Sequence, residues 1–248
     1  MTRSLSEGIL IVIDGLDGSG KATQQKQLAK RLKAAGYKIR LIGFPRYKDN
    51  FIGAFIGDCL AGKHGAWDKI DPYIASVIYA ADRFEASGEI KRWLEQGYVV
   101  IADRYVSANQ IYQGGKIADE AKRRRFLKWL DQLEFEVFKI PRPDVIFFLD
   151  VPVEVSMQLS KRSRKVYLKD GQKDLHETSL QIQVQAYKSA IKMVQSFNNW
   201  VTIPCTDPKG QILPIEVIAE KLWREVKGIL DQKQIQITKE KQVLKSGF

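Results

Sequence analysis

The stretch Gly15-Leu16-Asp17-Gly18-Ser19-Gly20-Lys21-Ala22-Thr23 limits what this chain can fold into more than any other segment. Many N–H groups can converge on a small volume only in a glycine-rich turn, where no Cβ blocks the approach. Such a turn needs a strand to deliver it and a helix to follow, whose first N–H groups and positive dipole add to the same point. Both flanks are legible. Gly8–Asp14 is a β-rich apolar run of the kind that becomes a buried strand. From Thr23 the period changes, with Leu28, Ala29, Leu32 and Ala35 on one helical face and Gly36 as a stop. Two glycines and a lysine at these offsets would occur by chance in roughly one chain of this length in fifteen, so the flanking strand and helix supply the specificity. All the residues from Gly15 to Thr23 become candidates for holding nucleotide phosphates, with Lys21 reaching the β- and γ-phosphates. Ala22 departs from the pattern, which asks for a hydroxyl there to ligate Mg²⁺. Thr23 lies about 100° further round the helix and cannot replace it.

The rest of the chain repeats the strand–helix alternation. Ile39–Ile42, Tyr98–Ala102, Val145–Leu149 and Trp200–Ile203 read as strands. Helices are expected at Asn50–Ala61, at Asp71–Glu95 with Ile74, Val77, Ile78 and Ala81 on one face, over much of Lys116–Lys139, and at Val153–Ser160. Two more are marked by Leu180, Val184, Tyr187, Ile191 and Val194, and by Ile215, Ile218, Leu222, Val226 and Ile229. The pattern predicts an α/β fold: a parallel five-stranded sheet with helices on both faces. Residues 1–230 are read as a single domain, with a basic polar loop near 161–176 as a small lid. Asp231–Phe248, lysine-rich and without an apolar stripe, is expected to be a mobile extension.

The net charge of +11 fits either a nucleic-acid or membrane surface or a site that handles several phosphates. Neither an RNA-recognition signature nor zinc-finger spacing occurs, so nucleic acid is not expected as a partner and a basic rim around a polyphosphate site is the simpler reading. No run approaches the length of a spanning helix, which points to no membrane and a cytoplasmic protein. Cys59 and Cys205 lie in no metal-like spacing and are read as reduced thiols.

Further clusters follow the predicted strands, where open α/β sheets bind ligands. Phe44-Pro45-Arg46-Tyr47 follows the second, and Asp103-Arg104-Tyr105 the third, with Asn109 and Tyr112-Gln113-Gly114 beyond it. Tyr79-Ala80-Ala81-Asp82-Arg83-Phe84-Glu85 lies within a helix. Each alone has a plain reading as a surface ion pair, a turn or a core aromatic. In this order behind the phosphate loop they resemble the thymidylate kinases, within the adenylate-kinase-like P-loop nucleoside monophosphate kinases, from about Gly8 to Leu230. The resemblance implies ATP as donor, dTMP as acceptor, Mg²⁺ as cofactor and a homodimer. It places Asp17 near the acceptor sugar, Arg46 on the acceptor phosphate with Phe44 and Tyr47 beside it, Asp103 and Asp17 near the metal, and Arg104 between donor and acceptor phosphates. It puts Tyr79 against the base, Arg83 on thymine O4, Asn109 at the base edge and Tyr112 over the sugar. Relatives commonly carry Ser where this chain has Ala108.

Family subtypes differ in the source of the transition-state arginine. Gly18 occupies the phosphate-loop position for it, so the resemblance assigns the role to Arg162 and Arg164 of the lid. Asp174 and Glu177 match acidic lid positions, with His176 where a tyrosine is common. Cys205-Thr206-Asp207 is expected near the donor's adenine. The catalytic set is thus Lys21, Arg104, Arg162, Arg164 and Asp17. A regulatory GTPase is disfavoured, since no Asn-Lys-x-Asp occurs. A deoxynucleoside kinase would leave Arg46 without a phosphate, and a kinase of another pyrimidine nucleotide is the nearest rival. Arg83 donates and never accepts, which suits thymine or uracil O4 over the cytosine amino group.

Overall fold

The computed structural model describes residues 7–160 and 180–246, with side chains in the last helix as far as Lys233. Five strands, β1 (Ile9–Gly15), β2 (Ile39–Gly43), β3 (Val99–Asp103), β4 (Val145–Asp150) and β5 (Trp200–Pro204), form one sheet in the order β2-β3-β1-β4-β5. All pairings are parallel. Ile13 and Gly43 both pair with Asp103, so the carboxyl ends of β1, β2 and β3 stand side by side.

Every residue of β1 is buried, because helices cover both faces of the sheet. The pleat divides the strand between two cores. Leu10 and Val12 pack with Phe148, Phe126, Leu130 and Met193 on one face. Ile9, Ile11 and Ile13 pack with Phe147, Leu28, Leu32, Leu222 and Val226 on the other. The helices are α1 (Lys21–Ala34), α2 (Phe51–Leu60), α3 (Pro72–Glu95), the short α4 (Val106–Ala108), α5 (Glu120–Asp131), α6 (Val153–Ser160), α7 (Leu180–Ser196) and α8 (Ile215–Ser246). The chain continues α4 and α5 as π-helical turns, Asn109–Gln113 and Gln132–Val137.

Three features differ from the sequence expectation. The last helix does not end near Leu230 but runs to Ser246. Asp231–Ser246 contains no Gly or Pro and is rich in Gln and Lys, so no residue in it breaks the helix. The two π-helical turns interrupt a segment read as plain helix and loop; a widened turn leaves no mark in apolar periodicity. On α3 only part of the apolar stripe is covered: Ile78 packs against the cluster of Ile56, Leu60 and Trp67, but Ile74 is 59% and Val77 39% exposed, while Ala75, Ser76, Ala80, Asp82, Arg83 and Ala86 are buried. Small residues such as Ala75 and Ala86 let the helix sit close against the cores it covers.

Candidate active site

Helix α1 begins at Lys21 behind Gly20, whose φ of 89° is open to glycine and strained for other residues. No side chain caps this end and its first turn holds no acid. The leading N–H groups are therefore free for a phosphate. Gly18 has no room for a side chain, because a Cβ would lie 2.2 Å from the Ser156 carbonyl oxygen of α6. Leu16 is a core residue and can offer a ligand only its backbone.

Lys21 folds back on its own loop, donating to the carbonyls of Gly15 at 3.0 Å and Leu16 at 2.7 Å. Burial, and then the neighbouring charge of Arg104, lower its pKa to about 8, against the pull of Asp17, Asp103 and Asp14. Arg104 directly follows β3 with a φ of 66°, left-handed for a non-glycine residue, held by its N–H bond to Ile13 O at 3.0 Å. Backbone held in this region concentrates at functional sites. Its guanidinium pairs with Asp17 and lies 5.2 Å from the centre of the Tyr112 ring. Burial opposes its charge, but Asp17, with Tyr112, Asp14 and Asp103, outweighs that and raises its pKa well above the ordinary value.

Asp17 is braced from several sides. Its second carboxylate oxygen accepts from the Tyr112 hydroxyl at 3.3 Å and from Gln183 of α7 at 3.4 Å, and its carbonyl accepts from Ser156 at 2.7 Å. Asp103 is different: its Oδ1 is buried without a hydrogen-bond partner. Burial raises its pKa, with Lys21 and Arg104 acting in the other direction. A carboxylate with an unsatisfied oxygen beside a phosphate loop fits Mg²⁺ coordination better than one already holding an arginine and a tyrosine.

Asp17, Lys21, Asp103 and Arg104 share the wall of one cavity of about 730 Å³ with Gly18, Gly20, Ala22 and Thr23. The same cavity is lined by Phe44, Arg46 and Tyr47, by Tyr79 and Arg83 of α3, and by Asn109 and Tyr112 of the turn after α4. The turn after β2, with a cis bond between Phe44 and Pro45, is held by two contacts from Arg46 N to the buried carboxylate of Asp82, at 3.2 and 3.3 Å. The Arg46 guanidinium bonds Glu89 at 3.2 Å and lies 3.7 Å from Asp49. Tyr79 accepts a hydrogen bond from the Trp67 indole at 3.2 Å. Arg83, 2% exposed, donates to both oxygens of Glu134, at 2.7 and 2.5 Å.

The structure thus gathers the phosphate-loop, strand-end and α3 residues around one space. Gly15, Leu16 and Ser19 support the loop from behind rather than line the cavity. Arg162, Arg164, Asp174, His176 and Glu177 lie outside the described residues. Cys205, Thr206 and Asp207 follow β5 but do not line this cavity; the Asp207 carboxylate accepts from the backbone N–H groups of Lys209 and Gln211. Sequence reasoning missed Asp14, which accepts from Gly15 N at 2.8 Å and Ser107 Oγ at 2.5 Å behind the loop. It also missed Ser156, Gln183 and Glu134, none of which sits in a motif. Only the question of which acid neutralises a buried Arg83 could have pointed to Glu134.

A parallel sheet carrying a phosphate loop, a strand-end Asp-Arg pair and an opposed pocket wall defines a P-loop phosphotransferase of the nucleoside monophosphate kinase class. A family model described as thymidylate kinase matches residues 13–213. The chain is 30% identical over 231 residues to a probable thymidylate kinase of Thermococcus gammatolerans, covering 91% of this chain and 97% of the relative. It is 34% identical to a probable thymidylate kinase of Thermococcus kodakarensis, over 76% of this chain and 85% of that one. A solved thymidylate kinase structure from Candida albicans superimposes with a TM-score of 0.68 at 24% identity, covering 92% of this chain and 93% of that one, which supports the fold. The chain belongs to the thymidylate kinase family.

Proposed function

We propose that the protein transfers the γ-phosphate of ATP to dTMP, giving dTDP and ADP. The observation that carries this reading is one cavity lined by the phosphate loop, by Arg46 and Arg104, and by Tyr79, Arg83 and Asn109. An acceptor without a phosphate would leave Arg46 nothing to meet in place of Glu89.

Phosphoryl transfer is loose and in-line, so the protein's task is positioning and charge neutralisation. The free N–H groups of α1 and Lys21 bind the donor's phosphates. Arg104, fixed by Asp17 and Tyr112, faces the space between donor and acceptor. Arg162 and Arg164 supply the remaining positive charge in place of the arginine that Gly18 excludes. Mg²⁺, when bound with the nucleotide, neutralises phosphate charge, and Asp103 is the side chain that would hold it. Ala22 leaves one coordination position to water, which Mg²⁺ retains readily. Tyr79 covers the base, and Tyr112 approaches the sugar.

The outward stripe of Ile74, Val77 and Phe84 on α3 supports a homodimer formed through this helix; Phe84 is 51% exposed. The two free cysteines, both buried, support a reducing, cytoplasmic location. The described residues include no helix long and apolar enough to cross a membrane. The test of function is a coupled ADP-release assay with ATP and a panel of nucleosides and monophosphates. Turnover should be highest with dTMP and poor with purine monophosphates; equal activity on thymidine would remove the acceptor assignment.

A further inference from the structure

Two residues that line the cavity, Arg83 and Asn109, meet the same acid, Glu134. Glu134 is completely buried on the π-helical turn after α5, and Asn109 opens the π-helical turn after α4. Such widened turns recur at functional sites because they re-aim single side chains. Glu134 takes Nε–H and one Nη2–H of Arg83. An arginine has five N–H groups, so the remaining three can serve a ligand. The Asn109 amide nitrogen donates to Ser76 O at 3.2 Å and to Glu134 Oε1 at 3.3 Å.

That second contact fixes the chemistry of the pocket. A peptide carbonyl and a carboxylate can only accept, so the end of the Asn109 amide between them must be the NH₂ group. Both its hydrogens are engaged there, and Oδ1 is left as the acceptor. Arg83 meanwhile can only donate. The cavity therefore offers one donor and one acceptor at its base end, held by a common carboxylate. A pyrimidine with a carbonyl at position 4 and N–H at position 3 matches this pair. Cytosine, with an amino group at 4 and a bare nitrogen at 3, opposes it at both points.

We propose that Glu134 is the positioning residue that sets pyrimidine choice, holding Arg83 as donor and Asn109 as oriented acceptor. The proposal rests on the dTMP reading above. Glu134 touches no ligand; it acts through its two partners. Replacing it by glutamine puts an NH₂ group in place of one oxygen: at Oε2 it faces Arg83 Nε, and at Oε1 it faces Arg83 Nη2 and Asn109 Nδ2 together. Both orientations loosen the guanidinium and the second also turns the Asn109 amide over, so either one damages the match to thymine more than the mismatch to cytosine.

The experiment measures kcat and KM for dTMP and dCMP, with thermal melting, for the parent, Glu134→Gln and Glu134→Asp. In Glu134→Gln the dTMP KM should rise about 10- to 100-fold, with kcat within about threefold, and the dTMP:dCMP ratio of kcat/KM should fall at least about tenfold. Glu134→Asp keeps the charge but shortens its reach and should fall between the two. A folded Glu134→Gln with a lowered melting temperature and the parent's ratio would make Glu134 a structural residue only and overturn the proposal. Should Glu134→Gln fail to fold, an unchanged ratio in Glu134→Asp overturns it equally. A parent enzyme that does not prefer dTMP would instead overturn the functional reading, and the proposal with it.

Discussion

The two ends of the cavity treat charge in opposite ways. At the base end the charges are closed among themselves: Arg83 and Glu134 form a buried pair, and both Asn109 amide hydrogens are engaged. At the phosphate end groups are left open. Among the described residues, Lys21 has two backbone carbonyls as acceptors, α1 has no side-chain cap, and the Ser19 hydroxyl and Asp103 Oδ1 are buried without partners. A buried polar group without a partner is costly. That cost is tolerable where a polyphosphate and its metal arrive with matching charge. A base brings only a neutral edge, so there the protein must neutralise itself and leave a few directed atoms.

The largest expected effects come from breaking the open end. Replacing Arg162 and Arg164 together with alanine should lower kcat at least about 10³-fold while ATP affinity changes far less, measured by single-turnover kinetics and equilibrium binding. Adding Gly18→Arg to that variant should not restore the rate, because Ser156 and Ser160 occupy the space. A restored rate would show that α6 can give way.

Lys21 allows a test by pH alone. Its pKa is lowered from 10.5 to about 8, so the free protein loses this proton above about pH 8 while the unfolded chain keeps it to about 10.5. The cost of burying the charge is present below about pH 8 and disappears between these values, so this group adds stability to the free protein as pH rises. ATP needs the charged form, so its affinity should change little between about pH 7, above which its own phosphates are ionised, and pH 8, and weaken by up to about tenfold per unit above that. Binding should take up a proton there, readable by calorimetry in buffers of different ionisation enthalpy. Lys21→Met should remove both the stability rise and the slope.

The same contrast explains what the sequence could and could not tell. Strand positions were legible because a sheet covered on both faces leaves continuous apolar runs such as Ile9–Ile13. Lys21 was legible because a phosphate site needs local backbone geometry, encoded at fixed short spacings; Asp103 and Arg104 stood out only through their order behind that loop and the family resemblance it makes. The closing of charge at the base end was not: Glu134 lies 51 residues from Arg83, and only the folded chain brings them together. The bracing of Asp17 by Ser156 and Gln183 was hidden for the same reason. Ile74 and Val77 show a further limit, since apolar residues at helical spacing did not mark the face that the core covers.

A smaller effect is expected where the metal is held. Asp103→Asn should raise the Mg²⁺ concentration for half-maximal rate by a factor of about ten, and Ala22→Ser should leave that requirement unchanged or lower it. Mg²⁺ titrations at saturating ATP and dTMP measure both. An unchanged midpoint in Asp103→Asn would move the metal's protein ligand elsewhere.

The smallest effect separates dTMP from dUMP, and it tests how far a closed, directed pocket reads its ligand. Both bases present the same carbonyl at position 4 and the same N–H at position 3, so Arg83 and Asn109 meet them identically. Only the 5-methyl group differs. Burying one methyl group contributes about 1 kcal/mol, which is roughly fivefold in kcat/KM. A hydrophobic wall such as Tyr79 can give no more than this, because an absent methyl leaves a small gap rather than an unpaired polar atom. dUMP should therefore be a substrate about fivefold poorer than dTMP, with dCMP far below both. The three values of kcat/KM, measured side by side, decide the matter. A dUMP deficit as large as that of dCMP would mean that shape rather than the Arg83–Asn109 pair governs choice. Equal rates for dUMP and dTMP would mean that the methyl group stays in water.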